Sequence, residues 1–473
     1  MFDLETSHLV LLIVCLFAAC CFEFVNGFHD TANAVATVIY THSLKPWQAV
    51  IWSGAFNFLG VFAGGIGVAI GIINLLPVET LVDQNTSHSL SMVASLLLTA
   101  IFWNVLTWYL GLPSSSSHAL VGSILGVGVA YSLMSDSSTA VNWKQAEEIG
   151  LSLLFSPIAG FSLAIIAMYL IRRLTKNTNY RDSLFKEPKK DAPPPVWIRL
   201  ILILTCTFVS FFHGSNDGQK GIGLVMLILI GIVPAHFALN DSYSPSSVPT
   251  TLYRIEKVIN ELDTTVLAAP DRAIVLQAKT STTELVQIFA SLKSMSEIPQ
   301  DKRFIVRKQI VLLDRDVKVL MTKSELKMSE LDRTVLRRSL IELRKAIDYS
   351  PKWVLIMISV SLGLGTMIGW KRIVKTIGEK IGKEHLTYAQ GASAEFVTAA
   401  TIGVSSHLGL PASTTHILSS GIAGSMVANR GVKNLESSTV RNILLAWVLT
   451  LPVVMTMSAS LFLLFRSLFT GST

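Results

Sequence analysis

Charged residues are scarce in this 473-residue chain: only 15% of it is Asp, Glu, Lys or Arg, whereas 51% is hydrophobic. Soluble globular proteins carry about a quarter of their residues as charges, so the composition excludes an ordinary soluble enzyme and a disordered chain. The charges are also unevenly spread, because residues 240–350 alone contain 18 basic and 15 acidic side chains. The remainder is apolar enough to predict a protein embedded in a lipid bilayer.

Cysteine is also scarce, and the amino terminus lacks the basic segment that precedes the apolar run of a cleavable signal peptide. No pair of cysteines has the spacing of a zinc site or a disulfide framework, so we interpret all four as small buried hydrophobic residues. They are Cys15, Cys20, Cys21 and Cys206. Much of the net charge of +7 lies in loops beside apolar runs, where it indicates membrane orientation rather than nucleic-acid binding.

Ten apolar stretches approach the ~20 residues that a membrane-spanning helix requires. They lie around residues 9–40, 47–73, 89–110, 112–134, 149–171, 197–238, 353–370, 387–408, 411–428 and 441–465. The first and sixth are interrupted by polar residues at 26–30 and 213–217, which predicts helices broken at those points. Gly-Leu-Pro turns at 111–113 and 409–411 join the third stretch to the fourth and the eighth to the ninth. Each of these pairs is either two crossings or a re-entrant hairpin.

The basic loops predict how the chain is oriented. Residues 172–199 contain eight Lys or Arg and residues 371–383 contain five, so both loops are expected on the cytoplasmic side. The segments at 74–88 and 135–148 carry little positive charge and are expected outside. Counting crossings backward from the first basic loop places the amino terminus outside as well.

Two motifs occur twice, which indicates an internal repeat. Asp30 matches Asp217 at an offset of 187 residues, and the run at 111–118 matches the run at 409–416 at an offset of 298. The two offsets differ by 111, which is the length of the charged segment 240–350. One five-segment unit is therefore duplicated, and its second copy carries an insertion. Because five is odd, the second copy is inverted in the membrane, as in many secondary transporters.

The predicted fold is an all-α polytopic membrane protein. It has two inverted five-segment repeats with broken helices or re-entrant hairpins, and a helical soluble insert placed outside by the parity of crossings. The predicted domains are the first membrane repeat (1–174), a cytoplasmic linker (175–196), the first part of the second repeat (197–239), the charged helical insert (240–350) and the remainder of the second repeat (351–473).

Each repeat has a run of hydroxyl residues directly after its Gly-Leu-Pro turn. Proline suits the first turn of a helix, and the free N–H groups and positive dipole end of a helix N-terminus attract anions. One such run could simply bond to carbonyls of its own or a neighbouring helix. Two runs in inverted repeats favour an anion site, because both helix ends can converge on one ligand. The predicted anion-binding residues are Ser115, Ser116, Ser117, Ser413, Thr414 and Thr415.

Acidic residues lie inside the predicted spans. Asp30 and Asp217 occupy matched positions, and Glu23 precedes the first of them by seven residues. Ionisable groups within a membrane are functional hypotheses by default, and an anion carried against a negative-inside potential needs a co-transported cation. A carboxylate beside the anion can take a proton or bind sodium, and Asn33 and Asn216 add neutral oxygens. The alternative is that these residues only cap broken helices.

Four intramembrane histidines suggest proton handling. His118 and His416 end the two hydroxyl runs, and we expect them to support the site from outside it. Lys220 lies three residues after Asp217. It is expected either to pair with that carboxylate, to face the anion, or to extend toward the membrane surface.

These motifs resemble those of the inorganic phosphate transporter (PiT) family, most closely the bacterial Pit-type low-affinity phosphate transporters. The resemblance rests on the doubled hydroxyl run and on His-Gly-Ser-Asn-Asp at 213–217, and it covers nearly the whole chain. It implies inverted repeats, a phosphate held between the two hydroxyl runs, and symport with a cation served by Asp30, Asn33 and Asp217. It also implies a multi-pass protein of a bacterial inner membrane, with phosphate and lipid as its partners, no resident cofactor and no nucleic acid. A homodimer is left open.

The chain departs from the family pattern at two positions. His29 and Lys220 stand where the family usually or often has Asn, and both changes remove neutral oxygen ligands for sodium. We therefore predict proton coupling, with sodium coupling as the alternative. Close relatives are thought to move neutral divalent-metal phosphate complexes, so a divalent metal is a candidate passenger with the phosphate.

Three other functions remain as alternatives at this point. A sulfate permease on the same fold would carry a similar tetrahedral oxyanion. An intramembrane serine hydrolase using Ser117, His118 and Asp30 belongs to a different class, but the chain has no Gly-x-Ser-x-Gly motif, and adjacent residues diverge on a helix. A channel is the third, although inverted repeats favour alternating access.

Overall fold

The computed structural model describes residues 6–76, 86–135, 141–188 and 192–470. The regular elements within these ranges are α-helices, short 3-10 turns and one isolated β-bridge. The chain divides into two compact units, one formed by residues 229–350 and the other by the described residues on either side. Parts of the loops predicted to lie outside the membrane, at 77–85 and 136–140, fall outside the described residues.

Eighteen α-helices follow one another along the described chain. They are α1 Thr6–Tyr40, α2 Pro46–Ala63, α3 Gly67–Ile73, α4 Thr86–Tyr109, α5 Ser116–Ser135, α6 Trp143–Leu174, α7 Arg181–Leu184, α8 Val196–Ile232, α9 Pro234–Phe237, α10 Val248–Glu261, α11 Ala269–Phe289, α12 Gln300–Thr322, α13 Glu330–Arg344, α14 Lys352–Thr366, α15 Lys371–Glu379, α16 Tyr388–His407, α17 Thr414–Arg430 and α18 Ser437–Thr470.

Among the described residues, six helices are long and apolar enough to cross a bilayer, namely α1, α4, α5, α6, α8 and α18. The pair α2 and α3, bent by 74° at a short break, forms a seventh if it is counted as one span. The predicted segments at 353–370, 387–408 and 411–428 are helical too, as α14, α16 and α17. They are shorter or more polar than the six helices, and many polar side chains of α16 and α17 are buried inside the protein.

The predicted breaks in the first and sixth segments are wrong. Helix α1 continues through 26–30, and α8 continues through 213–217. The polar side chains there bond to other helices and leave the backbone ladder intact: the His213 ring lies 2.9 Å from the Asn57 side chain of α2. Sharp kinks need proline, paired small residues or an inserted group. Polar residues within an apolar stretch are therefore not sufficient evidence that a helix is broken.

The two Gly-Leu-Pro turns are where helices end and restart. Gly111 and Gly409 have φ of 68° and 70°, a left-handed conformation that favours glycine. After α4, Leu112 N donates to Thr107 O over 2.9 Å, and Leu410 N donates to Ser405 O over the same distance after α16. This bond across the helix end is the Schellman arrangement. Both turns thus end one helix and aim the next, α5 or α17, in the same local geometry.

Four helix pairs of the larger unit pack with their backbones almost touching. A Cβ atom on Gly27 of α1 would collide with a backbone oxygen of α14, and one on Gly214 of α8 would collide with a backbone oxygen of α2. In the same way, Gly126 sets α5 against α18 and Gly424 sets α17 against α6. Small residues allow this close approach between membrane helices. Each of the four pairs is therefore tightly joined.

The unit at 229–350 is a helical bundle with its own apolar core. The residues with helical spacing that face this core include Leu252, Ile255, Ile310 and Leu313, all buried. Arg307 is also buried, and its Nη1 donates to Ile347 O over 2.9 Å. Buried charges need such partners. The charged composition of the segment therefore coexists with an ordinary hydrophobic core.

Candidate functional site

The two hydroxyl runs form the N-termini of α5 and α17. The backbone N–H of His118 donates to Ser115 Oγ over 3.2 Å, and the backbone N–H of His416 donates to Ser413 Oγ over 3.3 Å. Ser115 and Ser413 therefore act as N-caps, the position that serine favours. Capping uses these two oxygens as acceptors and leaves the hydroxyls that follow them free for other partners.

Both helix ends meet at one buried carboxylate, Asp30 of α1. Thr415 of α17 donates its hydroxyl to Asp30 Oδ1 over 2.8 Å, and Ser116 of α5 donates to Oδ2 over 3.0 Å. His29 Nδ1 lies 2.9 Å from Oδ1. Hydrogen bonds to an ionised acceptor are stronger than neutral ones. Asp30 thus joins the two hydroxyl runs, although they are about 300 residues apart in the chain.

The second carboxylate, Asp217 of α8, lies beside the first. His213 Nε2 is 3.8 Å from Asp30 Oδ2 and 3.6 Å from Asp217 Oδ2, so the imidazole sits between them. Ser116 Oγ reaches Asp217 Oδ2 as well, over 3.5 Å. One ligand atom from each of Asp30, His213 and Asp217 lies within 4.8 Å of the others. All three residues are buried, and their atoms could share a metal ion or a proton.

Lys220 is fully buried and bonded entirely within the protein. Its Nζ lies 2.7 Å from Asp217 Oδ1, 2.5 Å from Ser117 Oγ and 3.2 Å from Ala412 O. Two of the three ammonium protons have hydrogen-bond acceptors in Ser117 and Ala412, and the Asp217 carboxylate balances the charge as an ion pair. The expectation that Lys220 pairs with Asp217 is met by this geometry, whereas extension toward the membrane surface does not occur.

Asn33 lies three residues after Asp30 in α1, just as Lys220 lies three residues after Asp217 in α8. Its Nδ2 donates to Thr415 Oγ1 over 2.9 Å and approaches Thr414 Oγ1 at 3.5 Å. Its Oδ1 is buried and has no hydrogen-bond partner among the described residues. Asn33 therefore places a free carbonyl oxygen beside the two hydroxyl residues.

The other predicted site residues lie around this centre. Asn216 holds the turn before α17, since its side chain accepts from Ala412 N over 3.0 Å and donates to Leu410 O over 3.1 Å. Glu23 is buried near Asn26, 3.4 Å away, and its Oε1 has no hydrogen-bond partner among the described residues. It lies against α8 at Gly221, one residue beyond Lys220.

His118 and His416 lie behind the hydroxyl runs. Their ring centroids are 4.7 Å apart, and the His416 ring stacks on Trp447 at 4.0 Å. His118 Nδ1 lies 2.8 Å from Ser115 Oγ, rather than near Ser117. Ser117 instead donates to Ala412 O over 2.8 Å and accepts from Lys220. Ser117 and His118 therefore do not form the nucleophile–base pair that a serine hydrolase using Ser117, His118 and Asp30 would need.

Two buried polar residues were missed from the sequence. Glu395 of α16 accepts a hydrogen bond from Thr205 over 2.5 Å, and its Oε1 has no hydrogen-bond partner among the described residues. The signal that could have found it was an acid inside the predicted span 387–408. Asn57 contacts His213 at 2.9 Å and donates to Thr366 over 3.0 Å, and so orients that imidazole. A lone amide in an apolar stretch gave little signal of this role.

Long apolar helices around a buried polar centre built from two helix ends are typical of membrane transporters. The chain matches the Phosphate transporter family over residues 26–458 and belongs to that family. It is 40% identical to the low-affinity inorganic phosphate transporter of Buchnera aphidicola subsp. Acyrthosiphon pisum, over 97% of each chain. It is 38% identical to the low-affinity inorganic phosphate transporter PitB of Escherichia coli, over 96% of each chain.

Similarity extends to more distant proteins. A probable low-affinity inorganic phosphate transporter of Bacillus subtilis is 29% identical, with 98% of this chain and 99% of that one aligned. Among solved structures, one titled the sodium-dependent phosphate transporter matches with a TM-score of 0.56 and 22% identity, covering 97% of this chain and 99% of that one. At this identity the match shows a shared fold. The resemblance to phosphate transporters noted from the motifs is thus confirmed.

Proposed function

We propose that this multi-pass protein of the bacterial inner membrane imports inorganic phosphate together with protons. The observation that carries the proposal is the convergence of Ser116 and Thr415, from two separate helix N-termini, on the buried Asp30 carboxylate. The phosphate would lie between the ends of α5 and α17, where N–H groups and dipoles favour an anion. The hydroxyls of Ser413 and Thr414 supply further donors.

Coupling follows from competition for the same hydroxyl protons. Ser116 and Thr415 both donate to Asp30 when it is ionised, and an ionised carboxylate also repels an incoming oxyanion. A proton on Asp30 weakens its hold on both hydroxyls and removes the repulsion. The hydroxyls then turn to the phosphate, so proton and phosphate bind together. His29 and His213 contact Asp30 at 2.9 and 3.8 Å, and they can deliver the proton.

A divalent metal is a second candidate passenger, bound as a neutral metal phosphate. The Asp30, His213 and Asp217 ligand atoms within 4.8 Å of one another combine carboxylate oxygens with an imidazole nitrogen. Such a mixture suits zinc or manganese better than magnesium, which prefers oxygen ligands and keeps much of its water. In this form of the proposal, phosphate oxygens complete the metal's coordination, and the metal replaces the proton as the charge that makes phosphate binding favourable.

Inverted repeats and alternating access complete the proposal, and matched helix contacts support them. The contact of Gly27 with Leu362 has a counterpart in that of Gly214 with Asn57, and the contact of Gly365 with Phe24 has a counterpart in that of Gly60 with Phe211. In both cases the α1 and α8 members are 187 residues apart and their partners are 305 apart. Likewise α5 packs on α18 while α17 packs on α6. Rocking of such repeats against each other would open the site to each side in turn.

The test is uptake of radiolabelled phosphate by proteoliposomes under separate proton and sodium gradients. We expect uptake driven by the proton gradient, lost in Asp217→Asn because the pair of carboxylates is no longer intact. Uptake driven by sodium alone would support the alternative of sodium coupling. Strong competition by sulfate would move the assignment toward a sulfate permease. Absence of uptake under both gradients would contradict the proposal.

A further inference from the structure

The two repeats place two similar triads of side chains, which differ at two of their three positions. Asp30, Asn33 and Thr415 form the first triad, in which the amide of Asn33 bonds to the threonine hydroxyl over 2.9 Å. The residues matching them at offsets of 187 and 298 are Asp217, Lys220 and Ser117. In this second triad the ammonium of Lys220 bonds to the serine hydroxyl over 2.5 Å. A neutral amide and a fixed positive charge therefore occupy equivalent places.

Lys220 Nζ is surrounded by oxygens in the manner of a bound monovalent cation. A carboxylate oxygen, a hydroxyl oxygen and a backbone carbonyl oxygen lie at 2.7, 2.5 and 3.2 Å. The carbonyl belongs to Ala412, in the turn just before α17, and such non-helical carbonyls are common ligands of coupling ions in transporters. The Lys220 side chain is 1% exposed. The ammonium is a cation tethered to the protein by its own side chain.

The matching place in the first repeat offers oxygens instead of a charge. Asn33 Oδ1 is buried without a hydrogen-bond partner among the described residues, and Asn33 itself is 1% exposed. The Asp30 carboxylate, the Thr415 hydroxyl and this free amide oxygen belong to one cluster of contacts. This set can accept a proton or another small cation, which the second triad cannot because its ammonium is already there.

We propose that Lys220 permanently occupies one of two equivalent cation positions, so that only the Asp30–Asn33 position binds a co-transported cation. The inference rests on the proposed cation-coupled phosphate import and specifies its stoichiometry and ion selectivity. Each cycle carries one cation fewer than a carrier with two open positions. Lys220 is then the residue that makes the second position insensitive to sodium.

The first test is binding of radioactive sodium to purified protein in detergent, which does not depend on transport. Wild type is expected to bind no sodium at the second triad. Lys220→Asn recreates the amide of the first triad and is expected to bind about one sodium ion per chain more than wild type. The exposed Lys176→Asn is the matched control and should behave as wild type. A folded Lys220→Asn protein that binds no more sodium than wild type would overturn the inference.

The second test uses the reciprocal variant and the transport assay. Asn33→Lys places an ammonium in the first triad, and we expect it to lose gradient-driven accumulation while keeping exchange of phosphate between the two sides. Proton-driven accumulation at the wild-type level in this variant would contradict the inference.

Sodium binding to the wild type alone still tests the inference if both variants fail to fold. If wild type binds sodium and Asp217→Asn removes that binding, the Lys220 ammonium does not fill the second cation position. Failure of wild-type phosphate uptake, by contrast, would overturn the proposed function. The sodium-binding experiment could still be interpreted, because it does not depend on transport.

Discussion

Thr415 donates its hydroxyl to Asp30 over 2.8 Å, although the two residues are 385 positions apart in the chain. The bond links the N-terminus of α17 to the middle of α1 inside a buried polar cluster. Substitutions at this bond therefore test directly whether the two hydroxyl runs act on one site.

Replacing Thr415 with Val should weaken phosphate transport. A hydrogen bond to a charged group contributes about 1.5–3 kcal/mol, so we expect the apparent phosphate affinity to fall by roughly 10- to 150-fold. Thr415→Ser keeps the hydroxyl and should restore most of it. The measurement is the concentration dependence of uptake into proteoliposomes. Thr401→Val is the matched control, because among the described residues that hydroxyl bonds only to Val397 O of its own helix. Equal losses in both valine variants would count against the site.

Replacing Asp30 with Asn should separate transport from coupling. The amide has nearly the same size but carries no charge and takes up no proton, so its hold on Ser116 and Thr415 no longer changes with protonation. We expect accumulation against a phosphate gradient to fall by more than about tenfold, equivalent to 1.4 kcal/mol of lost coupling. Exchange of labelled for unlabelled phosphate should continue. Asp182→Asn, at an exposed acid, is the control. Unchanged accumulation by Asp30→Asn would show that the proton binds elsewhere.

Replacing Gly214 with Ala should destabilise the larger unit, because the added Cβ collides with the Asn57 backbone of α2. Overpacking of this kind costs about 1–3 kcal/mol or more, and thermal unfolding in detergent should shift downward. Gly150→Ala is the matched control, since its Cβ would meet nothing within 4 Å. That substitution should stabilise α6 by about 0.4–1 kcal/mol. A similar decrease for both variants would mean that close packing of α8 on α2 is not the cause.

Tyr349 provides a pH-dependent prediction for the unit at 229–350. Burial, followed by the negative charge of Asp241, raises the pKa of Tyr349 to about 12. Its hydroxyl also donates to Phe237 O over 3.2 Å. A raised pKa means that the folded unit resists ionisation of this group. Its stability is therefore unaffected below pH ~10 and decreases as pH rises from there toward 12, because only the unfolded chain releases the proton.

The measurement for Tyr349 is the tyrosinate absorbance of wild type minus that of Tyr349→Phe. We expect this difference to stay flat through pH ~10, where ordinary tyrosines ionise, and to grow only above it. A difference that rises with the other tyrosines near pH 10 would show that the hydroxyl is accessible to solvent. Tyr253, which is 63% exposed, is the matched control, and Tyr253→Phe should remove absorbance in the ordinary range.

Local patterns predicted much of this structure because a bilayer imposes them. Each of the ten apolar stretches contains helix, and the two Gly-Leu-Pro turns restart helices where expected. The repeat added long-range information, since matched runs at 111–118 and 409–416 indicated that their helix ends converge. The polar residues at 26–30 predict a break that α1 does not have. The prediction fails because a sequence shows a polar residue without showing the partner that satisfies it.

The remaining details depend on contacts that no local pattern encodes. The ammonium of Lys220 is satisfied by Ser117 and Ala412, which lie 103 and 192 residues away. From the sequence, pairing with Asp217, facing the anion and reaching the membrane surface were equally open to it. Glu395 is hard to predict for a related reason. It is a single acid without a matching acid in the other repeat, so the duplication that marks Asp30 and Asp217 gives no signal for it.

The glycine contacts also bear on how fast the carrier can work. They join α1 to α14, α8 to α2, α5 to α18 and α17 to α6, whereas the bonds from Ser116, Thr415 and Lys220 run between these pairs. Any sliding of one pair past another must break those charge-assisted bonds, each contributing about 1.5–3 kcal/mol. In the proposed cation-coupled mechanism, loosening them should quicken turnover and allow phosphate to move without its cation. Speed and tightness of coupling are thus opposed in that mechanism.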